Sequence, residues 1–332
     1  MKTTFEDELL AVLTEALEER QRTPSKGFHL GTRRIPRWAA ATTVAAAALV
    51  IALVVPLLLP GGAGGADPAA AAALHRVALR AAEQPPGPVP NDGQFVYTKT
   101  ESTQISVYVT GNGPSTNFVF AQPLTLEAWI GTDGSGRALE TAGAITFASD
   151  EGRAAWVAAG SPALGERDVI DEIYGGGELY FLDTSGLPND PDALRELIER
   201  REIVGGTDGD WQTFSIVGDL LRETSVQPAV RGALYEVAAD LPGVEYVGRI
   251  HDAAGRPGIA VAYTHEGVRQ EFIFDPKTAE LLGENYVNVE DGAVDVESGG
   301  PGAIYPSGEA GTLFFTATYL GSGITESTGE VP

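Results

Sequence analysis

Apolar and polar positions change their rhythm several times along the chain, and each rhythm predicts a different element. Near the start, Phe5, Leu9, Val12, Leu13, Ala16 and Leu17 recur at helical spacing and give one apolar stripe. Thr4 and Asp7 form a capping box ahead of it, and Arg20 and Arg22 follow its last turn. A single amphipathic helix cannot bury its own stripe. Phe5, Leu9, Val12, Leu13 and Leu17 are therefore candidates for docking a cytoplasmic regulatory protein through residues 1–22. Residues 23–37, with two Pro and two Gly, read as a basic tether.

Ala39–Leu59 then runs for 21 residues without a charge. At a rise of ~1.5 Å per residue it spans roughly 32 Å, enough for a hydrocarbon core of ~30 Å. It has no charged face of the kind a globular helix presents, which predicts a single transmembrane helix. Lys26, Arg33, Arg34 and Arg37 crowd its N-terminal flank, and no charge follows until Asp67. The positive-inside rule places the N-terminus in the cytoplasm and the remainder outside the cell membrane. A cleaved signal peptide is the competing reading: Ala63 and Ala66 offer small residues, and Arg33-Arg34 has a twin-arginine character. The preceding region of about 38 residues is too long for that, so an uncleaved signal-anchor is expected. The organisation predicted is a tail (1–38), a membrane helix (39–59), a flexible stalk (60–67) and an extracytoplasmic α+β domain (68–332).

Beyond the stalk the pattern is that of a folded domain. A helix is expected over Pro68–Glu83, ended by Pro85-Pro86-Gly87-Pro88. Alternation predicts strands at Gln94–Ser102, Ile105–Thr110, Leu124–Gly131 and Arg137–Thr141, with Gly111-Asn112-Gly113 and Asp133-Gly134-Ser135-Gly136 as turns. Residues 143–178 lack a clear period and read as loop with a short strand, and Leu179–Leu182 is a brief apolar segment. Asp190 as N-cap and Pro191 at N1 open a helix through Leu194, Leu197 and Ile198 to about Glu202. Capping also accounts for the acids at that start, so no metal site is read there. Phe214–Arg222 forms one or two helical turns. Pro228 opens a helix with Val230, Leu234, Val237 and Leu241 on one face, stopped by Pro242-Gly243. Val244–His251, Ile259–Thr264, Val268–Phe274 and Leu281–Val289 then give a four-stranded antiparallel meander, and Leu313–Tyr319 a last strand.

Charge narrows the partners. The chain has 46 acidic and 22 basic residues and a net charge of −24. Residues 1–38 hold seven basic and six acidic side chains, so 40 acids face only 15 bases in the rest. Such a surface repels nucleic acid and anionic headgroups. With no cysteine the domain has no disulfide, thiol chemistry or Cys-type zinc site. Four histidines, no Gly-x-Ser-x-Gly elbow and no His-Glu-x-x-His pair leave no catalytic residues, metal or cofactor to name.

Certain stretches carry a resemblance. Gln94-Phe95-Val96-Tyr97, Leu187-Pro188-Asn189-Asp190-Pro191-Asp192, Leu241-Pro242-Gly243-Val244, Gly255-Arg256-Pro257-Gly258, Phe272-Ile273-Phe274-Asp275-Pro276 and Leu281-Leu282-Gly283-Glu284 follow one another in that order. Together with the anchor, they resemble a family of membrane-anchored proteins of high-GC Gram-positive bacteria, often encoded beside extracytoplasmic-function sigma factors. The domain is also similar to the lipoprotein-carrier (LolA-like) superfamily, which implies a curved, half-barrel-like antiparallel sheet with helices on one face and room for acyl chains. That resemblance implies a sensor or regulator of a sigma-factor pathway. The tail departs from many anti-sigma factors in lacking their His/Cys zinc signature.

The expected function is accordingly a single-pass sensor or regulatory module, not an enzyme, whose outer domain binds a lipid or an envelope protein. Trp129, Tyr180, Phe181 and Trp211 are the candidates for lining its cavity, with ordinary core packing as the competing role for each. An exported carboxylate-dependent hydrolase and a structural envelope protein without ligand are the alternatives.

Overall fold

The computed structural model describes residues 67–87, 89–108, 118–164, 169–179, 181–200, 209–290 and 310–332. The predicted amphipathic tail and the run 39–59 lie outside them. Among the described residues no helix is long and apolar enough to cross a membrane.

The domain is α+β. In chain order the elements are α1 (Pro68–Ala82), β1 (Phe95–Tyr108), β2 (Phe118–Gly131), β3 (Gly136–Ala142), β4 (Thr146–Phe147), α2 (Asp150–Ala158), β5 (Val169–Tyr174), α3 (Pro191–Glu199), α4 (Gly209–Arg222), α5 (Pro228–Ala239), β6 (Val244–His251), β7 (Pro257–His265), β8 (Val268–Phe274), β9 (Leu281–Asn288) and β10 (Leu313–Thr325). The strands form one open, curved antiparallel sheet in the order β5-β3-β2-β1-β10-β9-β8-β7-β6, with β4 paired beside β2. Two meanders, β1–β3 and β6–β9, are thus joined through β10, which pairs β1 on one side and β9 on the other.

Helices α1, α3, α4 and α5 form a layer on one face of the β6–β9 half. Their sequences explain the packing. The buried stripe of α1 is almost all small, with Ala70, Ala73, Ala78 and Ala81 beside Leu74 and Val77. Gly232 of α5 comes so near the Ala78 carbonyl that an added Cβ would lie 3.2 Å from it, so the two backbones sit close. Helix α4 brings Phe214 onto the sheet, its ring stacked 4.7 Å from Phe272 and tilted 5.7 Å from Tyr263. Tyr235 of α5 meets Phe274 edge-on at 4.9 Å and donates its hydroxyl to the Ala279 carbonyl at 2.6 Å. Each such side chain, fully buried, contributes about 1.5–3 kcal/mol.

Most expected elements are present, several with different limits. The β6–β9 meander, α1, α3 and α5 form where the periodicity places them, and Asp190 caps α3 by accepting from Ala193 N at 2.9 Å. The expected break between Ser102 and Ile105 is absent: β1 runs through it because β2 pairs every residue from Phe95 to Tyr108. Helix α4 begins at Gly209, five residues before the apolar run, and β10 continues to Thr325. Within 143–178, read as loop with a short strand, the short strands β4 and β5 form, and Ser149 caps an unexpected helix, α2, by accepting from Gly152 N at 3.0 Å. No residue of α2 is buried, so it carries no apolar period to read.

Candidate functional site

Where the helix layer ends, a cleft of about 560 Å³ opens between it and the sheet. Its helical wall is built from Ala81, Pro85–Gly87, the α4–α5 connection and Arg231 in the first turn of α5; its floor is β1, β9 and β10. Pro85 and Pro86 cannot extend α1, so the chain turns away there and leaves the floor uncovered.

Two irregularities shape that floor. The β1–β10 register shifts between Lys99 and Thr100, leaving Leu320 without a partner, and the β8–β9 register shifts between Ile273 and Phe274, leaving Leu282 without one. Both extra residues line the cleft. A bulge disrupts the ladder and re-aims nearby groups, and here one arginine serves both. Arg256 Nη2 donates to the carbonyls of Leu282 at 2.8 Å and Tyr319 at 2.9 Å. Its Nε donates to Asp252 Oδ2 at 2.6 Å, and its backbone N to Asp252 Oδ1 at 2.7 Å.

A second arginine fixes the adjoining wall. Arg222 at the end of α4 donates through Nε to the Tyr319 hydroxyl at 2.7 Å, through Nη2 to Glu284 Oε2 at 2.5 Å, and through Nη1 to Asp219. The Tyr319 hydroxyl in turn donates to Glu284 Oε1 at 2.6 Å. Burial works against the Arg222 charge, but Glu284, Tyr319 and Asp219 outweigh it and hold the guanidinium pKa well above its ordinary value. Burial likewise raises the Tyr319 hydroxyl. Next in sequence, burial and the nearby Asp219 push the Glu223 carboxyl up to about 7, against the pull of Arg222.

These two arginines are satisfied by the protein and serve as walls. Arg231 differs: it lines the cleft, bonds the Tyr235 hydroxyl and makes no ion pair with the described carboxylates. Around it the lining mixes apolar Val96, Leu221, Val226 and Ile324 with Thr98, Ser225 and Ser322. The arrangement offers an amphipathic ligand both apolar contacts and polar partners. Among the described residues no group of His, Asp and Glu could hold a metal. His75 pairs with Glu236 at 2.5 Å, and His265 stacks on Trp211; neither lines the cleft.

The aromatic candidates are not brought together. Trp129 pairs across strands with Tyr97, on the sheet face opposite to cleft-lining Val96 and Thr98. It is 2% exposed, lies 5.2 Å from the Tyr97 ring, and donates Nε1 to the Glu330 carbonyl at 2.6 Å. Trp211 packs on the main core and stacks on His265 at 4.8 Å, while Phe181 lies in the segment before α3. None of the three lines this cleft. Tyr180, Phe5, Leu9, Val12, Leu13 and Leu17 are outside the described residues. The cleft residues that periodicity did not single out are Arg222, Arg231, Arg256, Leu282, Tyr319 and Leu320. A signal for some was present: Gly255-Arg256-Pro257-Gly258 and Leu281-Leu282-Gly283-Glu284, two stretches that carry the family resemblance, meet here through Arg256 and Leu282.

No family model and no curated protein matches the chain. Among solved structures it is similar to MucB in complex with MucA(peri), at a TM-score of 0.26 and 12% identity over 79% of this chain and 57% of that one. It is also similar to the Pseudomonas aeruginosa MucA/MucB complex, at a TM-score of 0.25 and 13% identity over 80% of this chain and 58% of that one. The chain thus spans less than two thirds of the chains it matches, and a likeness at this level carries no argument.

Proposed function

We propose that this chain is a single-pass, membrane-anchored extracytoplasmic sensor or regulatory module of a sigma-factor pathway, and that its outer domain takes an acyl-bearing envelope ligand in the cleft. The observation that carries the reading is the cleft itself. Its volume falls in the range of ligand pockets, its walls are fixed by the Arg222 and Arg256 networks, and its lining mixes apolar and polar side chains around Arg231, which makes no ion pair with the described carboxylates. The uncharged run 39–59 with its basic flank supplies the anchor, and the tail stripe supplies a surface for a cytoplasmic partner.

Native mass spectrometry of the full chain purified in detergent from host membranes, with lipid extraction, tests the ligand. A bound acyl lipid that disappears when Leu320→Trp fills the floor supports the reading. A clean apo mass from the unaltered protein overturns lipid binding. Carbonate extraction of membranes tests the anchor, because an integral segment resists it and a peripheral protein is released.

A further inference from the structure

The two edges of the sheet are finished differently. At the β6 edge, Asp67 occupies the place of a neighbouring strand: its N–H donates to the Val244 carbonyl at 3.1 Å, and its Oδ2 accepts from Tyr246 N at 3.1 Å. A register shift between Tyr246 and Gly248 then bends that edge away. The β5 edge has neither device. It pairs β3 in unbroken register from Val169 to Tyr174, and no described backbone group bonds its other side. It holds no Lys or Pro, and it exposes Ile173 at 82% and Val169 at 55% on one face. Exposed strand edges without such protection are templates for another strand.

We infer that the β5 edge is a docking site for an extended segment of a partner protein in which basic and apolar residues alternate. Side-chain chemistry selects that occupant. Val169 and Ile173 lie on the same face as Asp171, which Arg137 holds in a bidentate pair at 2.7 and 2.8 Å. Glu172 faces the other way, with Glu140 on the neighbouring strand on that same side. An added strand therefore meets apolar surface and, among the described residues of β3 and β5, the carboxylates of Glu140, Asp171 and Glu172 and the guanidinium of Arg137. Basic side chains opposite these carboxylates stabilise the pairing, whereas like charges opposite them oppose it. A second copy of this chain is disfavoured for that reason: an antiparallel pairing of two β5 strands sets the Asp171-Glu172 pair against its own image. The main-chain bonds supply affinity, and the alternate side chains supply selection. This inference does not depend on the cleft or its ligand.

The test uses the full chain in detergent micelles and a fluorescein-labelled peptide, Lys-Val-Arg-Val-Lys-Val, with Glu-Val-Glu-Val-Glu-Val as its acidic twin. Anisotropy is expected to show binding of the basic peptide, and amides 169–174 are expected to exchange more slowly in its presence. Ile173→Lys, at an exposed position that leaves the fold intact, weakens binding at least roughly tenfold. Glu172→Lys shifts preference toward the acidic twin. Equal binding of both peptides, unchanged exchange at 169–174, or full affinity in Ile173→Lys overturns the proposal. A dimer of the unaltered chain that Ile173→Lys dissolves also overturns it, by making the occupant a second copy.

Discussion

Arg256 and Tyr319 are 63 residues apart in sequence, yet the guanidinium of one holds the main-chain carbonyl of the other at 2.9 Å, at the point where the β1–β10 ladder slips. The same nitrogen holds Leu282 O at 2.8 Å, beside the second slip. The Asp252 side chain that balances this arginine has no exposure at all. Arg256→Ala strands that carboxylate and two carbonyls together, and is expected to cost on the order of 3 kcal/mol in urea unfolding. Asp252→Asn in the same chain should recover part of the loss. A cost below about 1 kcal/mol would mean that the bulges stand without the arginine.

Glu223 makes stability depend on pH. Its folded carboxyl titrates at about 7, raised by burial and by Asp219, so the native state keeps a proton that the unfolded chain releases at ordinary carboxylate pH. The folded state then binds more protons, and stability falls as pH rises. Its contribution is complete below the usual carboxylate range and is lost as pH climbs through about 7. Thermal melts between pH 5 and 8 should show a smaller decline in Glu223→Gln than in the unaltered protein. Parallel curves would rule this residue out as the source.

Gly218 is the contact that lets α4 lie on the sheet. A Cβ there would overlap the Phe272 ring, which is buried and stacked on Phe214. Gly218→Ala gains helix propensity of about 1 kcal/mol but is expected to destabilise by about 1–3 kcal/mol through overpacking. Phe272→Leu in the Gly218→Ala background should regain stability, although alone it leaves a void. Additive losses in the double variant would contradict the overlap.

On the other face, Trp129→Phe keeps the ring against Tyr97 but removes the 2.6 Å bond to the Glu330 carbonyl. The Glu330 carboxylate organises the turn before it by accepting from Glu326 N and Ser327 N at 3.1 and 3.2 Å. The expected outcome is a loss of about 1 kcal/mol, with faster amide exchange confined to residues 326–331. Unchanged exchange there would show that the tail is held by other contacts.

How far these features could be read in advance differs by element. The β6–β9 meander was legible because its strands are short and its turns carry Gly and Asp, and because alternate residues face a buried layer. Asp190-Pro191 announced α3 through local capping alone. Helix α2 has a cap but buries nothing, so hydrophobic spacing was silent. The cleft was less legible still. It exists because Leu282 and Leu320 are extra residues in ladders whose partners are distant in sequence, and no local pattern encodes a register shift. Trp129 and Trp211 drew attention as large aromatics, but size does not say which face of a sheet a residue occupies. That depends on the strand's phase relative to a helix layer folded from elsewhere.

The position of β10 also sets a timetable. Residues 95–142 and 244–288 can each zip into a meander on their own, since every pairing within them is between chain neighbours. They become one sheet only when residues 313–325 arrive to bridge them. That closure carries a large sequence separation and is the slow, entropically costly step of assembly. A nascent chain halted before residue 313 is therefore two unjoined halves, each protease-sensitive along the strand that waits for its partner. The floor of the cleft is completed last, by the same segment that supplies Tyr319 and Leu320.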